Sequence, residues 1–447
     1  MLRAAAYLLA ATAMASSASA KPAGPAPDLA RAIAADDLAS ARAALTTGAN
    51  PNAVFGYGET ALARAVETQD AAMVSLLLGH GAKPNTADAR GFTPLILACE
   101  RGNAEIVSAL LDAKASVNTA APDGTTPLAV CARFSKPATV SRMLALGAKT
   151  GAADERGQTP LMWAASSGNV EAMAALLKAG AQIDRTTEAG FTPLFFAIKS
   201  GVPAATQLLL DAGADVAHRG PENTGALQLA LYQKNWQAAA MLIERGAADL
   251  TERDRNGNQP LHAAAAGGDG ELVALLLEKG ADPNGLTAPS RITWVTEANF
   301  GMPPPPVPPT PPLLTAAEHG QADAMKILAD AGADKAFVAE NGNNVVLAAA
   351  HSHSPIALEQ ALAMAPDANV ADAQGNTPLH VLLMGGFHSD LRAMFSVLAR
   401  HGARTDIPNE KGLTAAQFAE KGLTVVREAY QQAFADTASP MVAVSHD

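Results

Sequence analysis

A hydrophobic position that recurs every 33 residues constrains this chain more than any other feature. It is occupied in its first clear copies by Leu62, Leu95, Leu128, Leu161, Leu194 and Leu227. The same position then falls at Leu261, Leu313, Val346, Leu379 and Ala416, and one step backwards from Leu62 reaches Leu29. Twelve units would therefore cover about residues 28–435 of 447. Short units in tandem predict a stack in which each unit contacts only its neighbours.

Each unit carries its own start and stop signals for two helices. Thr-Pro precedes the repeated leucine in five units, and this pair predicts a helix N-terminus because Thr caps free N–H groups while Pro needs no donor at the first position. A Gly such as Gly102 ends this first helix. A second amphipathic helix then ends at a Gly such as Gly81, nineteen residues after the leucine. Lys114 replaces that Gly in the third unit, so we expect this unit to be either locally strained or loose there.

The repeat resembles the ankyrin-repeat family, whose unit is 33 residues long with a T-P-L-H-x-A signature. The segments 377-TPLHVL-382 and 260-PLHAAA-265 are the closest matches to that signature. The resemblance implies an all-α fold, namely a curved solenoid of about twelve helix–turn–helix units with β-hairpin-like loops. It also implies a concave face, made of loop tips and first helices, that binds a partner.

The ends of the repeat array differ from its middle. Residues 28–56 lack Thr-Pro, and residues 412–435 are polar on one side, so both are predicted to be capping repeats of a single solenoid over 28–435. Residues 21–27 would be a short linker, and residues 436–447 a flexible tail.

One loop of the array is much longer than the others. The step from Leu261 to Leu313 is 52 residues, nineteen more than the repeat, and the phase resumes afterwards. The insertion, about 287–307, contains the first four prolines of a run of eight within ten residues, Pro303 to Pro312, which favours an extended polyproline segment. The insertion either projects to contact a partner or folds back over the solenoid, and the sequence supports both.

The first twenty residues are typical of a secretory signal peptide. An arginine at position 3 precedes an apolar stretch, and Ala18-Ser19-Ala20 resembles a cleavage site. We expect cleavage after Ala20 and a periplasmic or secreted mature protein of bacterial type without a membrane-inserted segment.

Composition and motifs argue against several other functions. The net charge of −11 disfavours non-specific binding to nucleic acid. The sequence contains no catalytic motif that we can assign, so we expect no enzyme activity, no cofactor and no metal. The His351 and His353 side chains, two positions apart on a helix, would point in different directions and make a poor metal pair.

The two cysteines fall at alanine-type positions of adjacent first helices. Packed helices lie about 8–10 Å apart, whereas a disulfide needs Cα atoms within about 7 Å. We therefore expect Cys99 and Cys131 to be buried free thiols rather than a disulfide, which stays the alternative.

The exposed positions that the family uses for binding carry aromatic and basic residues here, in a chain with only 4% aromatics. Such residues are enriched at interface hot spots, although they are also compatible with a merely solvated face. The predicted partner-binding residues are Tyr57, Arg90, Phe92, Arg101, Arg133, Phe134, Arg156, Phe191, Lys199, Tyr232 and Arg255, with Trp294 and Phe300 in the insertion. Trp163, Phe195 and Phe196 directly follow their leucines and are expected in the core.

These observations predict a non-catalytic, monomeric module that binds another protein through the concave face and the proline-rich loop. Two further interpretations stay open. One is an accessory or stabilising subunit of a periplasmic enzyme, and the other is a secreted effector that binds a host protein.

Overall fold

The computed structural model describes residues 27–246, 249–290 and 308–438, and these residues form an all-α repeat solenoid. They contain 24 α-helices, together with two short 3₁₀ helices and two isolated β-bridges, Val54–Thr60 and Pro408–Thr414. No helix within the described residues is long and apolar enough to cross a membrane. The predicted all-α architecture is confirmed, whereas the count of twelve repeats stays a prediction.

The contacts divide the chain into two compact units. Unit 1 comprises residues 1–164 and 171–182, and unit 2 comprises residues 165–170 and 183–447. The division falls within two helices, Pro160–Ser167 and Val170–Lys178.

The described helices of unit 1 come in consecutive pairs. They are α1 Pro27–Ala34, α2 Leu38–Thr46, α3 Ala61–Glu67, α4 Ala71–Gly79, α5 Pro94–Arg101, α6 Ala104–Asp112, α7 Pro127–Phe134 and α8 Pro137–Ala145, followed by α9 Pro160–Ser167 and α10 Val170–Lys178 at the division. First helices pack on first helices (α3 on α5, α5 on α7), and second helices pack on second helices (α4 on α6).

Unit 2 repeats this pattern within its described residues. Its helices are α11 Pro193–Ser200, α12 Pro203–Asp211, α13 Ala226–Tyr232, α14 Trp236–Glu244, α15 Pro260–Gly267, α16 Gly270–Glu278, α17 Pro312–Glu318, α18 Ala322–Asp330, α19 Val345–His351, α20 Pro355–Met364, α21 Pro378–Met384, α22 Leu391–Arg400, α23 Ala415–Lys421 and α24 Thr424–Ala438. Odd-numbered helices from α11 to α23 again contact the next odd-numbered helix.

The helix boundaries follow the local sequence signals. The hydroxyl oxygen of Thr126 accepts the N–H of Ala129 at 3.2 Å, and a proline follows it at the first helical position. Gly102 ends α5 with φ +69°, a left-handed conformation that costs glycine little. Lys114 adopts the same region with φ +62° at the position where other units have Gly. A residue with a Cβ pays about 1–2 kcal/mol there, so the expected strain is present.

The repeated leucine forms the centre of the core. Leu128, Leu161, Leu313 and Leu379 have no exposed surface, and Leu227, the most exposed leucine in this register, is 9% exposed. Phe195 is buried as predicted, whereas Trp163 and Phe196 are only half-buried. Several residues around the leucine are alanines. Because these side chains are small, neighbouring first helices can approach each other closely.

The two cysteines form a disulfide, which corrects the expectation of free thiols. The Cys99 and Cys131 Cα atoms are 4.6 Å apart, and both residues are fully buried. The expectation failed because it used the distance between helix axes. Facing Cα atoms on the contact side of two helices lie much closer than their axes do, and the small residues of α5 and α7 allow the closest approach.

The repeat contacts continue across the long insertion. In several other inter-repeat loops an asparagine joins the next unit, as when the Asn52 amide donates to the Gly81 carbonyl at 3.1 Å. The Asn284 amide makes the same bond to the Gly332 carbonyl at 3.2 Å, although 48 residues separate them. The N–H of Thr287 also donates to the Thr310 carbonyl at 3.0 Å, so the two ends of the insertion meet.

Candidate partner-binding surface

Two of the predicted arginines in unit 1 share one carboxylate. Glu67, the last residue of α3, accepts hydrogen bonds from the guanidinium groups of Arg90, at 3.5 Å, and Arg101. Arg90 also donates from Nε to the Asp88 carboxylate at 2.9 Å, and its guanidinium lies 5.4 Å from the centre of the Phe92 ring. Arg90, Phe92 and Arg101 are therefore brought together by an acidic residue of the preceding repeat.

A second cluster in unit 1 joins an arginine to two aromatic rings. The Arg133 guanidinium lies 5.0 Å from the centre of the Phe134 ring and 5.5 Å from the centre of the Trp163 ring. Both distances are within the range of cation–π attraction. Phe134 is nonetheless 48% exposed. A large aromatic side chain is thus held in place while much of its surface stays in contact with solvent.

The two clusters of unit 1 lie side by side. Gly102 follows Arg101 and packs against the backbone of α7, where a Cβ on Gly102 would meet the Phe134 carbonyl oxygen at 3.0 Å. Glycine at this turn therefore ends α5 and also lets the two turns approach each other. The result is a surface that carries three arginines and two aromatic rings, which we call the arginine–aromatic surface (Arg90, Phe92, Arg101, Arg133 and Phe134).

The other two predicted residues of unit 1 are exposed at loop tips. Tyr57 lies in the 3₁₀ turn Gly56–Gly58, with φ +64° and 99% of its surface exposed. Arg156 is exposed in the loop before α9, where its backbone N–H donates to the Asp154 carboxylate at 3.0 Å. Neither residue contacts the arginine–aromatic surface through a hydrogen bond or ring contact that the described structure contains.

In unit 2, an aromatic cluster surrounds Phe191. Its ring is 6.1 Å from the Phe195 ring in an edge-to-face arrangement and 6.3 Å from the Phe196 ring. Phe191 is 37% exposed, so it covers the buried Phe195 from the solvent side. Lys199 is exposed in the last turn of α11.

Tyr232 and Arg255 lie together at a cavity in unit 2. The cavity has a volume of about 430 Å³, and Glu222, Gln228 and Glu252 also contribute to its wall. The Arg255 guanidinium donates to the Glu222 carboxylate at 2.6 Å. Burial, together with the negative charge of Asp254, raises the pKa of Tyr232 above its ordinary value. The phenol is therefore neutral and can donate or accept a hydrogen bond inside the cavity.

Sequence reasoning missed the carboxylates that organise these sites. Glu67 lies 34 residues before Arg101, and Glu222 lies 33 residues before Arg255. Opposite charges separated by about one repeat length are a sequence signal from which both salt bridges could have been predicted. Trp294 and Phe300, the two predicted contacts of the insertion, lie outside the described residues.

The described residues contain no group of three or more His, Cys, Asp or Glu side chains that could hold a metal ion. Nδ1 of His351 lies 2.9 Å from the Leu347 carbonyl oxygen, within hydrogen-bond distance. The His353 ring stacks on the His388 ring, and the two ring centres are 4.1 Å apart. These histidines therefore serve the turns between helices.

The fold and these surfaces define a helical repeat protein that presents arginine and aromatic side chains on its first helices and loop tips. The family model described as ankyrin repeats (3 copies) matches residues 29–121, 73–154, 128–220 and 218–286, which together cover more than half of the chain. The chain belongs to the ankyrin-repeat family. Ankyrin repeats are generally protein–protein interaction modules, typically without catalytic activity.

Proposed function

We propose that this protein is an exported, non-catalytic module that binds a partner protein through the arginine–aromatic surface of unit 1. One observation carries the proposal: Phe134 is 48% exposed yet is held by contact with Arg133. Binding then orders few side chains, so less affinity is lost to conformational entropy. Arginine and aromatic residues are also the types that dominate interface energetics.

The cavity of unit 2 is a second contact area in this proposal. Its Tyr232 hydroxyl, Arg255 guanidinium and Glu222 carboxylate present donors and acceptors to a partner side chain. The insertion at about 287–307 starts at the wall of this cavity, since Ala288 and Pro289 are part of it. We therefore propose that the insertion contributes to partner binding beside Tyr232.

The test compares three variants of the mature protein for capture of partners from a native cell-envelope extract. The Arg101→Ala/Phe134→Ala change is expected to abolish capture while the far-UV circular dichroism is unchanged. The matched control is Arg404→Ala/Val338→Ala, which removes an exposed arginine and an exposed apolar side chain of unit 2 and should retain capture. If capture survives the first change but not deletion of 287–307, the insertion is the binding site and the proposal for unit 1 is wrong.

Export is supported by two independent features of the chain. The pattern of residues 1–20 is typical of a signal peptide, and the Cys99–Cys131 disulfide suits an oxidising compartment such as the periplasm. Fractionation with N-terminal sequencing tests this part. We expect mature protein that begins at Lys21 in the periplasm or medium, and intact Met1 in the cytoplasm would contradict it.

Two more specific functions follow from the same surface. As an accessory subunit, the protein would bind and stabilise a periplasmic enzyme; as a secreted effector, it would bind a host protein. Co-purification with an envelope enzyme whose thermal stability rises in the complex supports the first. Recovery of the protein from the medium, with binding only to host extracts, supports the second.

A further inference from the structure

Arg133 differs from the other arginines of the arginine–aromatic surface in what holds it. Arg90 and Arg101 each donate to the Glu67 carboxylate. Arg133 forms no salt bridge with any carboxylate of the described residues, although Glu100 occupies the equivalent position one repeat earlier. Its charge is instead placed against two ring faces, which attract the cation without supplying hydrogen-bond acceptors.

This arrangement leaves the hydrogen-bonding capacity of the guanidinium unused. Arginine has five N–H donors in a planar fork that fits a carboxylate, and the two rings supply no carboxylate or carbonyl acceptor to these donors. Arg133 is exposed, so these donors face solvent. The rings also restrict its rotation, so a ligand meets a guanidinium whose orientation is already set.

The immediate surroundings favour a carboxylate next to an apolar side chain. Lys136, the N-cap residue of α8, is exposed and adds a second positive charge three residues after Arg133. The exposed part of Phe134 offers an apolar contact beside the Arg133 guanidinium. The carboxylate of Glu100 on the same face, together with the acidic chain, disfavours a doubly charged phosphate more than a singly charged carboxylate.

We propose that Arg133, in contact with the Phe134 and Trp163 rings, binds an Asp or Glu carboxylate of the partner, and that an adjacent aromatic or large aliphatic partner residue packs on Phe134. This inference rests on the proposed function and specifies the chemistry of the partner segment. The arginine–carboxylate pair forms at the edge of the guanidinium, while the cation–π contacts on its faces persist.

A random peptide library displayed on phage and selected on the mature wild-type protein supplies the probe. We expect the enriched peptides to carry Asp or Glu within two residues of an aromatic or large aliphatic residue. Synthetic copies are then titrated against the wild type, Arg133→Gln, Arg133→Lys and Arg42→Gln. Arg42 is a matched control because it is an exposed arginine of the same unit without a salt bridge among the described residues, and it is not one of the predicted partner-binding residues.

The Arg133→Gln change is expected to raise the Kd at least about tenfold, since a charge-assisted hydrogen bond is lost. Replacing the acidic residue of the peptide by its amide should raise the Kd equally, and both changes together should add little more. Arg133→Lys should recover part of the affinity because it keeps the charge but loses the planar fork. Arg42→Gln should change the Kd less than about twofold, the range expected for an uninvolved surface charge.

Three outcomes would overturn this assignment. Enriched peptides without acidic residues, or peptides that bind Arg133→Gln as tightly as the wild type, reject the inference and leave the proposed function standing. Competition by millimolar inorganic phosphate, with phosphoserine peptides preferred over Glu peptides, identifies a phosphate site instead. If no peptide and no partner binds the wild type, the proposed function fails together with the inference.

Discussion

The Nε2 atom of His262 lies 2.9 Å from the carbonyl oxygen of Thr310, the residue at which the chain returns from its long insertion. His380 makes the equivalent contact with Leu413 at 3.0 Å in a later repeat. The two histidines differ at the other ring nitrogen. Nδ1 of His380 lies 2.9 Å from the Thr377 hydroxyl oxygen, whereas the buried Nδ1 of His262 has no partner among the described residues.

The two histidines differ because position 259 is a glutamine where position 377 is a threonine. A substitution at position 259 can restore the missing hydrogen-bond partner. Gln259 is the N-cap residue of α15 and makes no side-chain cap hydrogen bond. We expect Gln259→Thr to cap the helix and to supply a hydroxyl partner for Nδ1 of His262, which should raise the free energy of unfolding by about 1 kcal/mol. Urea denaturation followed by circular dichroism measures the change. The reverse variant, Thr377→Gln, should lower stability, and a stable Thr377→Gln protein would contradict the explanation.

The burial of His262 predicts a loss of stability in acid. Desolvation lowers the pKa of His262 from its ordinary value of 6.5 to about 4. Because the unfolded chain then binds a proton between pH 6.5 and 4 while the folded chain does not, stability falls as the pH falls through this window. The loss is about 3 kcal/mol by pH 4. Thermal melts of the wild type and His262→Gln between pH 7.5 and 4.5 test it; the variant should show a flatter pH dependence, and parallel curves would refute this prediction.

The Cys99–Cys131 disulfide should stabilise unit 1 by constraining its unfolded chain. The bond closes a loop with a sequence separation of 32, for which the chain-entropy model gives about 3–4 kcal/mol. The Cys99→Ala/Cys131→Ala variant should keep the fold, because alanine is the usual residue at these positions, and should melt at a lower temperature. Under denaturing conditions without reductant, the oxidised protein should not be alkylated by iodoacetamide. Alkylation by two equivalents would show that both cysteines are free thiols and would contradict the disulfide.

Lys114 predicts a stabilising substitution at the end of α6. Its φ of +62° is unfavourable for a residue with a Cβ, so Lys114→Gly should raise the free energy of unfolding by about 1 kcal/mol. Lys149→Gly provides the control: Lys149 is also an exposed lysine after a second helix, but it does not have a positive φ. Glycine there should leave stability unchanged or lower it. Equal effects of both changes in chemical denaturation would show that backbone strain at Lys114 is not the cause.

Much of the fold follows from signals within single repeats. The leucine register, the Thr-Pro helix starts and the glycine stops predicted the helix pairs, and the strain at Lys114 came from the same register. The binding role of the predicted site residues stays a prediction, and the sequence predicted only part of their geometry. Exposure of Tyr57, Phe134 and Arg156 followed from their repeat positions, but the pairing of Arg101 with Glu67 depends on side chains of two different repeats. The Cys99–Cys131 disulfide was also not predicted, because its formation depends on how closely α5 approaches α7.

The sequence by itself determined the repeat, its phase across the insertion, the helix boundaries and the surface positions available to a partner. These features are local, because each is encoded by residues that interact within one 33-residue unit. Only the tertiary structure decided that Cys99 bonds to Cys131, that Arg133 contacts Phe134 and Trp163, and that Nδ1 of His262 has no partner among the described residues. Those outcomes depend on distances of a few ångströms between neighbouring repeats, which are set by the packing of small side chains and not by the repeat pattern.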